Sequence, residues 1–205
     1  MRMGIPLFAP LEEETTQLVS SLQRSVVQIV TSRGHGSGVI WHRAGFIVTN
    51  DHVVEGKQAV VEMQDGRRLT ANVMARDAQN DLALLRVNAG DLPAAEIADA
   101  RSLRVGELIL AIGNPFGVIG NATLGIVSGN GGLWLGGSRR ELLQADLELA
   151  PGNSGGPLAD MAGRVVGVAS MIVSPGIAVA VPSHVVQRFA ARWLPPEAPA
   201  WEIRL

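Results

Sequence analysis

Apolar and polar positions follow each other with short periods along most of the chain. Residues 26–31, 39–41, 46–49, 58–63, 69–75 and 82–87 are apolar or β-branched runs of strand length, separated by turn residues. A second set lies at 107–113, 123–128, 142–149, 164–171 and 177–181. Asp65-Gly66 between two such runs marks a tight hairpin, and Ala44-Gly45 marks a turn into 46–49. Two segments change period. Residues 11–25 put Leu18 and Leu22 on one helical face behind Glu12-Glu13-Glu14, and 185–193 read as a helix capped by Ser183 and stopped by Pro195-Pro196. Residues 88–96, with Gly90 and Pro93, read as a linker between two halves, and 129–138 as a glycine-rich loop carrying Trp134. Residues 1–10 read as an extended arm. So many short strands with turn signals predict an all-β barrel pair with short N-terminal and C-terminal helices.

Composition narrows the picture. The 205 residues are 47% hydrophobic, enough for one large or two small packed units. A net charge of −2 points to no nucleic acid and no anionic membrane surface. There is no cysteine, so the fold owes nothing to disulfides. No apolar run is long enough for a membrane span. No signal peptide is visible at the N-terminus, which predicts a cytoplasmic protein where the chain is complete. The Arg33-Gly34-His35-Gly36-Ser37-Gly38 segment looks like a nucleotide-binding loop, but a strand follows rather than a helix, so that reading fails. His35, His42 and His184 show no metal-ligand spacing and read as structural or exposed; no metal and no cofactor is expected.

The chemistry starts at Ala150-Pro151-Gly152-Asn153-Ser154-Gly155-Gly156-Pro157-Leu158, a tight turn between apolar runs with one serine at its apex. Such a turn presents a hydroxyl nucleophile and aims consecutive backbone N–H groups at one point. It is equally an ordinary Gly/Asn/Ser/Pro turn unless a base and a carboxylate accompany it. His52 follows the run at 46–49, and Asp81 precedes the run at 82–87. The order His52, Asp81, Ser154 is one of the three orders in which Ser-His-Asp triads occur.

Thr49-Asn50-Asp51-His52-Val53-Val54, Asp81-Leu82-Ala83-Leu84-Leu85, Gly113-Asn114-Pro115-Phe116-Gly117 and Gly152-Asn153-Ser154-Gly155-Gly156-Pro157-Leu158 together resemble the HtrA/Deg serine proteases, over about residues 26–186. The resemblance implies a chymotrypsin/trypsin-like double six-stranded β-barrel: an arm and helix at 1–25, a first barrel at 26–90, a second at 91–186, and a helix and tail at 187–205. Residues 25–186 would form one protease domain, without a following PDZ domain.

It also implies a serine endopeptidase acting on unfolded or misfolded proteins through an acyl-enzyme. Ser154 would be nucleophile, His52 general base and Asp81 its orienting carboxylate, with the backbone of Gly152, Asn153 and Ser154 as oxyanion hole. Glu148, six positions before the nucleophile, would sit at the base of the primary pocket and favour basic residues. The family's habit favours aliphatic ones. Alternation places Asp146 and Glu148 on one face and Leu147 and Leu149 on the other, so either pair faces the pocket. Ser170, Met171 and Ile172 would pair with the substrate backbone as an added strand. Asp51 stands where many relatives carry asparagine; it either raises the imidazole pKa or points to solvent. The expected partners are polypeptide substrates and, through an N-terminal arm anchored by Phe8, a homotrimer. The competing reading is a latent protease fold that acts as a binding or chaperone module for unfolded chains.

Overall fold

The computed structural model describes residues 9–32, 34–135, 137–174 and 176–195. The arm with Phe8 and the last ten residues lie outside them. Two closed six-stranded antiparallel barrels make up the body, the architecture the resemblance implied. The first contains β1 (Val26–Thr31), β2 (Gly34–His42), β3 (Phe46–Thr49), β4 (Gln58–Glu62), β5 (Arg68–Asp77) and β6 (Leu82–Val87). The second contains β7 (Leu108–Gly113), β8 (Asn121–Leu135), β9 (Ser138–Asp146), β10 (Pro157–Asp160), β11 (Val165–Ser174) and β12 (Ile177–Pro182). Strand order is β1-β2-β3-β6-β5-β4 in one and β10-β11-β12-β9-β8-β7 in the other.

Each barrel fills its interior with the apolar half of its alternating strands. Ile29, Ile40, Ile47, Val61 and Leu85 pack in the first, and Ile109, Val127, Leu143, Leu158 and Val166 in the second. Burying each such side chain contributes about 1.5–3 kcal/mol. A third cluster joins the barrels. Val39, Val48, Leu82 and Leu84 on the outside of the first meet Val165, Val168 and Val181 of the second, under Val185, Val186 and Ala190 of the C-terminal helix. The linker is tied to both sides: Ala95 N donates to Ile40 O, and Val165 N to Glu96 O. The two halves therefore cannot separate without exposing a shared core, which fixes the cleft between them.

The elements differ from the sequence pattern in five places, the first being β10 (Pro157–Asp160), a short strand that no apolar run marked. Helix α1 is Ala9–Gln23 rather than 11–25; it stops because the Ser25 amide and hydroxyl both take the Leu22 carbonyl. The glycine-rich stretch at 34–38 is already strand, because Gly36 lets Val53 approach where a Cβ would meet its Cγ1 at 2.5 Å. The expected loop at 129–138 is largely strand: β8 runs to Leu135 and pairs with β9 from Leu135↔Ser138 down to Ile126↔Asp146, with a bulge after Val127. Backbone ladders need no side chains, so the glycines of β8 pair while Leu142 and Leu143 of β9 bury the hairpin. Helix α2 is Ser183–Ala190, and its N-cap is Pro182. Ser183 does not cap it, because its hydroxyl donates to Ala98 O and accepts from Ala100 N.

Candidate active site

Antiparallel pairing of β3 with β6 brings the first two candidate residues together. Thr49 lies opposite Ala83, so the end of β3 sits beside the start of β6. His52 follows β3 on a short 3₁₀ turn, Asp51–Val53, and Asp81 immediately precedes β6. Asp81 adopts φ 56°, in the left-handed region, and Asn50 Nδ2 holds its carbonyl at 2.9 Å. Its carboxylate then meets the imidazole edge on: both oxygens lie 2.9 Å from His52 Nδ1. The His52 amide donates to Oδ1 at 3.1 Å and Ser170 Oγ to Oδ2 at 2.6 Å.

Those contacts set the charges. Burial pulls the Asp81 carboxyl upward as the largest single influence, but the hydrogen bonds from His52 and Ser170 and the imidazole charge together hold it below the usual carboxylate value. His52 is raised, chiefly by its hydrogen bond to Asp81, against the opposing effect of burial, with smaller contributions from the charges of Asp81 and Asp51. With Nδ1 facing a carboxylate, the neutral ring carries its proton there and leaves Nε2 as an acceptor. Asp51 does not point to solvent; it forms a 2.7 Å ion pair with Arg76.

Ser154 comes from the other barrel, between β9 and β10. Its turn is stapled to the first barrel by Ser37, whose amide donates to Ser154 O at 2.8 Å and whose hydroxyl donates to Gly152 O at 2.7 Å. Buried Asn114 braces the same corner: its amide donates to Ser37 Oγ at 2.9 Å and its side chain to Val27 O at 2.9 Å. Gly152 has φ 107°, and a Cβ there would stand 2.5 Å from Asn114 O. Pro151 O accepts from Phe116 N, and Asn153 O accepts from Gly156 N. In trans peptides the next N–H points the opposite way, so the Gly152 and Ser154 amides turn away from those partners. Among the described residues neither amide donates to a protein acceptor. Asn153 differs: its amide is taken by Ala150 O at 3.0 Å, so it drops out of the expected oxyanion set. The Ser154 hydroxyl donates to Ser170 O at 3.0 Å.

His52, Asp81, Ser154, Leu149, Ser170, Met171 and Ile172 line one cavity of about 610 Å³. Glu148 does not: it is exposed and borders a smaller hollow with Phe116 and Thr123. The reason is alternation continuing past the end of β9, which buries Leu147 and Leu149 and turns Glu148 outward. Glu148 therefore supplies no charged base to the cavity that holds His52, Asp81 and Ser154. Arg140 and Ala78 line the cleft without having been singled out from the sequence. Arg140 lay in the misread end of the β8–β9 hairpin, where no local signal marked its proximity.

The remaining histidines stand apart. His42 Nδ1 accepts from Ala44 N, His184 Nε2 is 2.8 Å from Glu141, and His35 is exposed. Among the described residues no cluster of His, Cys, Asp and Glu is arranged to hold a metal. No helix among them is long and apolar enough to cross a membrane.

Residues 36–168 match the model of the trypsin-like peptidase domain. The chain belongs to the trypsin-like peptidase family. Its relatives within that family are of the HtrA type, as the four motifs suggested. It is 39% identical over 161 residues to a probable periplasmic serine endoprotease DegP-like protein of Pseudomonas savastanoi, covering 76% of this chain and 34% of that one. It is 39% identical over 166 residues to periplasmic serine endoprotease DegP of Salmonella typhimurium, covering 77% and 35%. The chain thus spans about a third of the length of these relatives. The HtrA-type protease AlgW with a tripeptide superposes with TM-score 0.80 at 35% identity, covering 84% of this chain and 61% of that one. AlgW with a decapeptide gives 0.78 at 31%, covering 86% and 66%. The relatives' names overturn the expectation of a cytoplasmic protein, since both DegP-type relatives are periplasmic.

Proposed function

We propose that this trypsin-like peptidase domain is a serine endopeptidase of polypeptides, acting through Ser154, His52 and Asp81. The observation that carries the reading is the Asp81 carboxylate seated on His52 Nδ1, within the same cleft as a serine on a glycine turn. His52 Nε2 takes the Ser154 proton as Oγ attacks the carbonyl carbon. The tetrahedral oxyanion is held by the Gly152 and Ser154 amides. The same imidazole, now protonated, delivers its proton to the leaving amine, which departs with the C-terminal fragment. Water, deprotonated by the regenerated base, then releases the acyl group and restores the serine. Asp81 keeps the tautomer and stabilises the imidazolium without itself taking the proton.

The edge of β11 at Ser170-Met171-Ile172 accepts the substrate as an added strand, and Leu149, Met171 and Ile172 favour an aliphatic residue before the scissile bond. The peptide-bound AlgW structures and the endoprotease names of the relatives support polypeptides as the substrate class, and unfolded or misfolded proteins as their source are proposed on the family resemblance alone. A homotrimer built through the N-terminal arm is proposed on family resemblance, with sedimentation as its test.

One observation favours the latent binding module as a second reading. The Ser154 hydroxyl is engaged by Ser170 O, so the nucleophile must rotate before His52 can take its proton. Intact mass after fluorophosphonate treatment decides between the two. One adduct in the parent chain and none in Ser154→Ala supports the protease. No adduct in either, with unfolded chains still bound, supports the binding module.

A further inference from the structure

The turn that carries His52 is weakly built on its own account. It is three residues long, it buries none of them, and Asn50 makes no side-chain capping bond to it. Single 3₁₀ turns have poor hydrogen-bond geometry and leave carbonyls unpaired at their ends. After it the chain runs irregularly through Val54, Glu55 and Gly56 before β4 begins at Gln58.

One side chain gathers this segment. Arg76, near the end of β5, donates through Nη1 to Asp51 Oδ1 at 2.7 Å and to Asp51 O at 3.3 Å. Its Nη2 donates to Val54 O at 3.0 Å and Gly56 O at 2.8 Å. A single guanidinium fork thus spans both sides of His52. The other end of the same strand connection is fixed as well. Arg76 pairs with Ala83 and Asp77 with Leu82, and Asp77 Oδ1 accepts from the Gln79 and Asn80 amides in the turn that delivers Asp81. Both turns of the Asp81–His52 pair therefore hang from two adjacent residues of β5.

We infer that Arg76 and Asp51 form a positioning pair for the general base: the guanidinium holds the His52 turn in register with Asp81, and the pair keeps the Asp51 charge from acting fully on the imidazole. The inference rests on the reading of His52 as base. Arg76 does not itself line the cleft and reaches it only through Asp51, which does. Its effect is exerted through the orientation and charge environment of the ring. Arginine is the residue suited to this, because a planar fork satisfies a carboxylate and three carbonyls at once, where an ammonium cannot keep that geometry. The charged groups facing His52 are Asp81 from the β5–β6 turn, Asp51 from its own turn, Arg76 from β5 behind Asp51, and Arg140 of β9 on the cleft.

The signs follow from that arrangement. Removing Arg76 leaves an unpaired carboxylate beside the ring, which favours imidazolium and raises the His52 pKa above its parent value. Removing the Asp51 charge lowers it. Arg76→Lys keeps the charge balance but loses the fork.

The test is an NMR titration of the His52 ring in the parent chain, Arg76→Gln, Arg76→Lys and Asp51→Asn, assigned with His52→Gln. It is paired with steady-state kinetics on a short peptide. The titration needs no turnover, so it stands even if the chain proves inactive. The expected result is an upward shift in Arg76→Gln, a downward shift in Asp51→Asn, and little shift in Arg76→Lys. In turnover, Arg76→Gln and Arg76→Lys lose roughly tenfold or more in kcat with KM nearly unchanged, as misplacement of a catalytic group does. Unchanged titration and kcat in folded Arg76→Gln would overturn the inference. So would a loss confined to KM. Should Arg76→Gln fail to fold, Asp51→Asn carries the test, and an unmoved titration there overturns the inference. The expected shifts with no fluorophosphonate adduct in the parent would leave the positioning pair standing and remove the protease reading.

Discussion

Ser170 donates its hydroxyl to Asp81 Oδ2 at 2.6 Å, across 89 residues of sequence and from the second barrel to the first. Its own carbonyl accepts the Ser154 hydroxyl at 3.0 Å. One residue of β11 therefore touches the carboxylate through its side chain and the serine through its backbone. It couples the two halves of the site without belonging to the three residues that the motifs single out.

Ser170→Ala is expected to lower kcat with little change in KM. The carbonyl remains, so the bond to Ser154 survives, while Asp81 loses a donor and is held less firmly against His52. Oδ2 keeps its contact with His52 Nδ1, and the loss of a hydrogen bond to a charged group costs about 1.5–3 kcal/mol of stability. Peptide kinetics and urea unfolding of the variant check both effects, and an unchanged kcat would show that His52 alone orients Asp81.

The site's contributions to activity and to stability run in opposite directions with pH. Turnover needs neutral His52. Its pKa is raised above the ordinary 6.5, so kcat/KM climbs only above that value. The stabilisation from charged His52 is full below the unfolded value and disappears as pH rises through the folded one. Asp81, held below its ordinary 3.8, contributes stability above that value and loses it as pH falls through its folded value. The pair thus stabilises the fold most between about pH 4 and 6.5, where turnover is weak. Thermal unfolding and kcat/KM measured across pH 3–9 should show maxima that do not coincide. Coincident maxima would mean that the pair contributes little to the folded state.

Gly152→Ala should abolish labelling at Ser154 while leaving a folded protein. The position has φ 107°, and a Cβ would press to 2.5 Å from Asn114 O and 2.9 Å from Pro115 Cα. Relief requires the turn to rotate, which swings the adjacent amide out of the oxyanion position. Loss of one such donor costs about 3 kcal/mol in the transition state, or roughly a hundredfold in kcat. Circular dichroism beside fluorophosphonate labelling separates this from unfolding.

Glu148→Gln should leave substrate preference unchanged, because Glu148 is exposed and does not line the cleft. Valyl peptides are expected to outpace arginyl ones in both proteins. A parent preference for arginine that vanishes in Glu148→Gln would restore the charged-pocket reading.

Strand periodicity and turn residues marked the strands of both barrels except the short β10, since alternation of buried and exposed positions is a local property of each strand. The triad candidates were legible for a similar reason: each stands in its own short motif at a strand end. The errors fall where a local pattern has two meanings. Glycines at 34–38 and 129–132 read as loop, yet they pair as strand because neighbouring strands supply the apolar contacts. Ser183 has the chemistry of a cap but spends its hydroxyl on the linker, a partner 85 residues away. Which of Glu148 and Leu149 faces the cleft was undecidable from alternation alone, because alternation defines two faces and not which is inside.

What the sequence determined by itself is therefore the class of fold and the residues able to do the chemistry. What tertiary structure decided is their relation: Asp81 against Nδ1, Ser154 on the Ser170 carbonyl, Arg140 at the cleft, and Arg76 gripping the turn of His52. Periodicity and motif are properties of neighbouring residues along the chain. A guanidinium's choice of carboxylate, or a hydroxyl's choice of carbonyl, depends on which strands close each barrel and on how the two barrels pack.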